Sequence, residues 1–207
     1  MNAETAPAGT RDRLIAAMLD ALRTRGFHGV GLSELLATAS APKGVLYHHF
    51  PGGKTELALA AIAAVIEQLT GHLDKVFERA AGDPATALTL WMSSAQKVLE
   101  GSGFERGCPL AAVALESTPE DTALRAALAT GFAAIRDRLA AELGRAGVEP
   151  ARARGLAALI VSAYEGALVQ ARVASDVQAM RDTTAALIDL VRLSLPPTGA
   201  TPSPPPP

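Results

Sequence analysis

Apolar residues recur at helical spacing along most of the chain. Leu14, Met18 and Leu22 stand at i, i+4 and i+8, and Ile15 and Leu19 widen the stripe. This predicts a first helix that opens at Thr10, whose hydroxyl can accept a free backbone N–H, and ends at Gly26, which enters a left-handed turn at no steric cost. Phe27 is expected to fold back onto the stripe. Leu32, Leu35 and Leu36 form the inner face of a short second helix, about 32–39. After Ser40 and Ala41, Pro42 suits the first position of a third helix, where its missing N–H costs nothing. That helix is expected over 42–50, with Leu46 and Phe50 inward and Lys43, Val45, Tyr47, His48 and His49 on the outer positions. Pro51, Gly52 and Gly53 break the chain again. A helix of about eight residues is unstable alone. The first two helices must hold it, leaving its far side free for contact.

Beyond residue 53 the predicted helices lengthen. The fourth spans about 54–80. Asp83–Pro84 is a cap with a first-turn proline and opens the fifth, to about Glu100. Gly101 and Gly103 punctuate a loop before a short helix over 109–116. Thr118–Pro119, with Asp121 at the third position, opens a helix to about Gly144, and Glu149–Pro150 another to about Ala174. Ser175 with Gln178 reads as the capping box of the last helix, which ends before Pro196–Pro197. The final twelve residues hold seven prolines and are expected to be disordered or polyproline-like. The last two long helices are unusually apolar. Leu156, Leu159, Ile160, Ala163 and Ala167 read as one face, with Leu168 and Val169 adding to it; Leu187, Leu190, Val191 and Leu195 do the same in the last helix. Such a helix is either central or shared with a partner. A homodimer through these two helices is the expectation, with burial inside one subunit as the alternative.

Composition agrees with an all-α protein. Hydrophobic residues make up 49% of the 207, charged residues 19% and aromatics 4%, so strand formers are sparse. The single cysteine, Cys108, excludes an internal disulfide and any CxxC zinc pattern. The polar first ten residues are no signal peptide, and no run of eighteen apolar residues occurs. A cytoplasmic protein with no membrane association is expected. The net charge of −2 argues at first against nucleic acid, but it is unevenly spread. Residues 1–56 carry six basic and five acidic side chains and three of the four histidines; residues 57–207 carry thirteen basic and sixteen acidic ones.

The third helix is where the charge matters. A short helix after a tight turn, with a basic and polar outer face, has the geometry that enters a major groove. Lys43 suits a phosphate, Tyr47 can donate from its hydroxyl, and Gly44 permits close backbone approach. Val45 offers a methyl surface for thymine. Lys54 falls at a helix N-terminus, where a cation and free backbone donors favour phosphate.

The stretch Ala-Pro-Lys-Gly-Val-Leu-Tyr-His-His-Phe-Pro-Gly-Gly-Lys, residues 41–54, resembles the recognition-helix signature of TetR-type repressors. The Gly-Gly spelling and the downstream Arg-Gly-Cys-Pro-Leu, residues 106–110, are similar to the LmrA/YxaF-like branch. The resemblance implies an all-helical homodimer, with a helix-turn-helix DNA-binding unit over 1–53, an effector-binding and dimerisation domain over 54–195, and the proline-rich tail over 196–207. It implies DNA contacts by Ser33, Pro42, Lys43, Gly44, Val45, Tyr47 and His49, with Lys54 on the phosphate backbone. The sequence departs from the common form at Gly31, where a capping threonine is usual, at Val45, where a hydroxyl residue is frequent, and in a Pro-Gly-Gly-Lys stretch one residue longer.

Other chemistry is thin. Adjacent His48 and His49 point about 100° apart on a helix and cannot chelate one ion, so a DNA contact by at least one of them is expected and no metal site. No cofactor is expected either: Gly26-Phe27-His28-Gly29-Val30-Gly31 has the wrong spacing for a dinucleotide loop. No convergent acid–base set supports an enzyme, although a small helical enzyme or ligand-binding protein remains the alternative reading. Cys108 suits a buried structural thiol better than a reactive one. Trp91, Phe104, Cys108, Phe132 and Tyr164 are the candidates to line an apolar effector pocket. Few charges fall near them, which favours an uncharged or aromatic ligand.

Overall fold

The computed structural model describes residues 9–197, and among these there are nine α-helices and no strand. They are α1 (Thr10–Arg25), α2 (Leu32–Thr38), α3 (Lys43–His49), α4 (Gly53–Arg79), α5 (Pro84–Gly101), α6 (Pro109–Glu116), α7 (Thr122–Arg145), α8 (Pro150–Ala174) and α9 (Gln178–Arg192). The termini, including the proline-rich stretch from residue 198 on, lie outside the described residues.

The stripe of α1 meets α2 and α3 across Leu14, Met18, Leu22, Leu35, Leu46 and Phe50, all of them buried. Each such side chain contributes roughly 1.5–3 kcal/mol by leaving water, which is what holds a seven-residue α3 in place. The core then continues without a break along α4, which packs against α1, α5 and α7. Helix α7 packs on α8, and α8 on α9. By length and composition alone α4 and α8 are apolar enough to cross a bilayer. Here each gives a face to this core instead: Leu57, Ile62, Val65 and Leu73 from α4, and Leu156, Ile160, Tyr164 and Leu168 from α8.

Two of the sequence-read caps form as expected. Asp83 accepts the Thr86 N–H at 2.9 Å, and Glu149 accepts those of Ala151 and Arg152, both at 2.9 Å. Four details differ. Thr10 is the first helical residue and Gly9 takes the cap position; the Thr10 hydroxyl accepts from Arg13 instead. Pro42 sits in the cap position of α3 rather than inside it. Asp121 closes the turn before α7 by accepting the N–H and hydroxyl of Thr118, so the helix starts at Thr122. Ser175 is the left-handed C-cap of α8 at φ 51°, and Asp176 instead accepts the Gln178 N–H at 3.0 Å. At α7 and α9 a neighbouring aspartate takes the hydrogen bond, while at α1 and α3 the cap residues Gly9 and Pro42 make no side-chain cap.

The apolar face read for α8 divides in two. Leu156, Ile160, Ala167 and Leu168 are buried, while Leu159 and Val169 are about half exposed. With Gly155, Ala158, Ser162 and Val173 they form an outward stripe of small and apolar residues.

Candidate nucleic-acid interface and cavity

On α2 and α3 the side chains predicted to face outward do so. Ser33, Pro42, Lys43, Gly44, Tyr47 and His48 are exposed, and Val45 and His49 are half-buried. They lie on one side of the three-helix unit, opposite the buried Leu35 and Leu46. Tyr47 packs beside the start of α4: a Cβ added at Gly53 would lie 3.4 Å from its Cε1. Lys54 is turned inward more than the sequence implied. Its ammonium donates to the Phe27 carbonyl at 2.6 Å and lies 4.4 Å over the Phe27 ring, and burial pulls its pKa below the ordinary lysine value. One of its three donors is used in this way.

The same unit is gripped from behind. The last carbonyls of α1 have no partner within their own helix. Residues from outside the three-helix unit supply two: the Gly107 N–H reaches the Arg23 carbonyl at 3.1 Å, and Arg172 of α8 reaches that of Thr24 at 3.1 Å. Glu116, at the end of α6, accepts the Phe27 N–H with one carboxylate oxygen and the His28 N–H, at 3.1 Å, with the other. Gly26 makes this possible, since its φ of 76° suits glycine and a Cβ there would lie 2.5 Å from the Glu116 carboxylate. Asp121 pairs with the His28 ring at 3.1 Å, and Arg106 with Asp20 at 2.7 Å.

This joint forms one wall of a cavity of about 850 Å³. Thr24 and Arg25 come from α1, Cys108, Ala111 and Leu115 from the start and length of α6, and Glu165, Leu168 and Val169 from α8. A smaller cavity of about 260 Å³ lies behind it, bounded by His72 of α4, Trp91 of α5 and Tyr164 of α8. Gly107, Cys108 and Leu168 border both. Trp91 and Tyr164 stack with ring centroids 4.5 Å apart.

The five aromatic and thiol candidates are thus not one group. Phe104 and Cys108 line the larger cavity; Trp91, Tyr164 and Cys108 line the smaller. Phe132 lines neither and packs half-buried against the core. Cys108 is buried. Burial raises its thiol pKa above the ordinary value, which keeps it protonated and unreactive. Sequence reasoning missed Glu165. It is the one charged residue between Arg154 and Arg172, and that isolation was the available signal. Burial lifts its carboxyl from 4.5 to about 7, and its Oε2 has no hydrogen-bond partner. Among the described residues no group of His, Cys, Asp and Glu side chains fits a metal ion.

A short exposed helix held by two others, in front of a larger helical body with cavities, defines a helical DNA-binding regulator. The comparisons with known proteins name it more closely. Residues 14–61 match the TetR family of bacterial regulatory proteins, and residues 84–186 match the C-terminal domain of LmrA/YxaF-like transcriptional regulators. The chain belongs to the TetR family, in its LmrA/YxaF-like branch. It is 34% identical over 180 residues to the uncharacterised HTH-type transcriptional regulator Rv0196 of Mycobacterium tuberculosis, covering 81% of this chain and 87% of that one. LmrA of Bacillus subtilis is 24% identical over 183 residues, covering 88% and 97%. Among solved structures, a TetR regulatory protein of Rhodobacter sphaeroides superposes with a TM-score of 0.77 at 28% identity, covering 87% of this chain and 97% of that one. Reduced NemR of Escherichia coli gives 0.70 at 25%, covering 91% and 98%. These families and relatives are transcriptional regulators, not enzymes.

Proposed function

We propose that the protein is a homodimeric, cytoplasmic repressor that a small apolar or aromatic effector releases from a palindromic operator. The observation that carries this reading is the shared wall: the last turn of α1 lines the large cavity, and α1 holds α2 and α3. A ligand there spreads α1 from α6 and α8 and turns both recognition helices away from their grooves. It needs to favour that state by only roughly 1–3 kcal/mol to act. A fold neighbour, CifR, supports the DNA reading, since a cysteine mutant of it is known in complex with 26-base-pair double-strand operator DNA.

In this proposal residues 1–53 bind DNA, 54–195 bind effector and dimerise, and 196–207 form a tail. Ser33, Pro42, Lys43, Gly44, Val45, Tyr47, His48 and His49 face the groove, and Lys54 secures the turn and the adjacent phosphate. Phe104 and Cys108 line the effector cavity, Trp91 and Tyr164 line the smaller cavity that shares Cys108 with it, and Phe132 lines neither. The outward stripe of α8 and the exposed Leu193 after α9 form the dimer face. Two recognition helices then address half-sites about 34–36 Å apart, or a multiple of that.

Two results are expected. Lys43→Ala lowers the slope of log affinity against log salt by about one per protomer, because one phosphate contact is lost. Titrations on one duplex at several salt concentrations read this directly, and an unaltered slope removes Lys43 from the phosphates. Leu159→Glu puts a charge in the centre of the α8 stripe. It converts the dimer to monomer in sedimentation and weakens operator binding with it, because the second half-site no longer binds as part of one molecule. A stable dimer carrying Glu at 159 places the interface elsewhere.

A further inference from the structure

Most polar groups on the wall of the large cavity have a partner or face solvent. The Thr24 hydroxyl donates to the Asp20 carbonyl at 2.9 Å. Arg25 pairs with Glu34, and Arg172 is tied to the Thr24 carbonyl. Glu105 is exposed and hydrated. Glu165 is different. It sits low in the cavity against Cys108, and its Oε2 is both buried and without a hydrogen bond. Among the described residues no side-chain cation pairs with it. Arg172, the nearest on its own helix, is seven residues along, roughly 10 Å away by helical rise. Around it Ala111, Ala112, Leu168 and Val169 are apolar.

A buried carboxylate oxygen with no donor is costly to leave unmade, and its cost is best offset by a donor that carries the opposite charge. Glu165 lines the cavity, so a turn of its side chain brings this oxygen to a donor held there. We infer that this cavity takes an apolar molecule bearing a protonated amine, with the ammonium group on the Glu165 carboxylate, whose side chain turns to bring the occluded Oε2 to it, and the apolar body between α6 and α8. This rests on the cavity being the effector site and adds the chemistry that selects the effector. Cys108, whose buried thiol stays protonated, hydrogen-bonds to the Glu165 carboxyl group but brings no positive charge to it. The raised carboxyl pKa of Glu165 agrees with a site that lacks a counter-charge until ligand arrives.

The test uses two isosteric probes, 1-naphthylmethylamine and 1-naphthylmethanol, titrated by calorimetry into the full-length protein without DNA at pH 8. The wild type is expected to bind the amine about tenfold or more tightly than the alcohol, the usual worth of a hydrogen bond to a charged group. Glu165→Gln keeps the shape and is expected to bring the two within about threefold while the alcohol's affinity holds. Equal affinities in the wild type, a preference that survives Glu165→Gln, or no binding of either probe overturns the inference. Operator binding with and without each probe is measured separately. Probes that bind with the expected preference and leave operator affinity unchanged uphold the role of Glu165 and refute the effector reading. Probes that bind without preference and still release DNA do the reverse.

Discussion

Tyr47→Ala is expected to abolish specific operator binding at physiological salt while leaving the fold and the proposed dimer intact. The side chain is 45% exposed on α3, so its removal opens no core cavity and costs the fold little. The loss falls on the DNA complex. A phenolic hydroxyl donating to a phosphate makes a hydrogen bond to a charged group, worth about 1.5–3 kcal/mol. The proposed two-fold complex would contain it twice, so a loss of about 3–6 kcal/mol is expected, more than a hundredfold in affinity. Anisotropy titrations of both proteins on one duplex measure the effect, with thermal melts and sedimentation as controls. Affinity within threefold of the wild type would take α3 out of the interface.

Glu165→Gln carries the second large effect, on stability. Burial holds this carboxyl at about 7 against an ordinary 4.5. A group raised in the folded state binds its proton more tightly there than in the unfolded chain. Its stabilising contribution is therefore complete below about pH 4.5, declines as pH rises, and is lost above about 7. The whole loss is roughly 3 kcal/mol. Glutamine fills the same space and does not titrate. The stability of the variant minus that of the wild type is expected to grow by roughly that amount between pH 5 and pH 8, since the other titrating groups are common to both. Urea unfolding at the two pH values reads it. A difference that stays constant would mean that Glu165 titrates outside this window.

What the sequence revealed follows the range of the forces involved. The α3 stretch was legible because its spacing places Leu46 inward and Lys43 and Tyr47 outward within two turns. The Asp83 and Glu149 caps were legible because each cap and its proline are adjacent. Ser175 was misread because Asp176 beside it takes the hydrogen bond expected of it, and Thr10 because the helix starts one residue earlier, at a glycine that makes no side-chain cap. The grip on α1 was out of reach. Glu116 meets Phe27 and His28 across nearly ninety residues, and no periodicity reports that. Helix α8 shows the limit of pattern reading in another way. Leu156 and Leu159 are equally apolar, and only the packing of α7 and α9 decides that the first is buried and the second faces outward. Glu165 was visible as an isolated charge, but its meaning depends on α6 bringing Cys108 against it.

The central claim is that α3 reads DNA and that filling the cavity behind α1 undoes the reading. Selection of duplexes from a random-sequence pool by the purified protein, followed by anisotropy titration of the selected duplex at two salt concentrations, tests the first half, on which the second depends. The account predicts recovery of a two-fold symmetric site, bound tightly and weakened by salt, with a scrambled duplex bound far less well. Recovery of no common sequence, with equal and weak binding of every duplex, would contradict it.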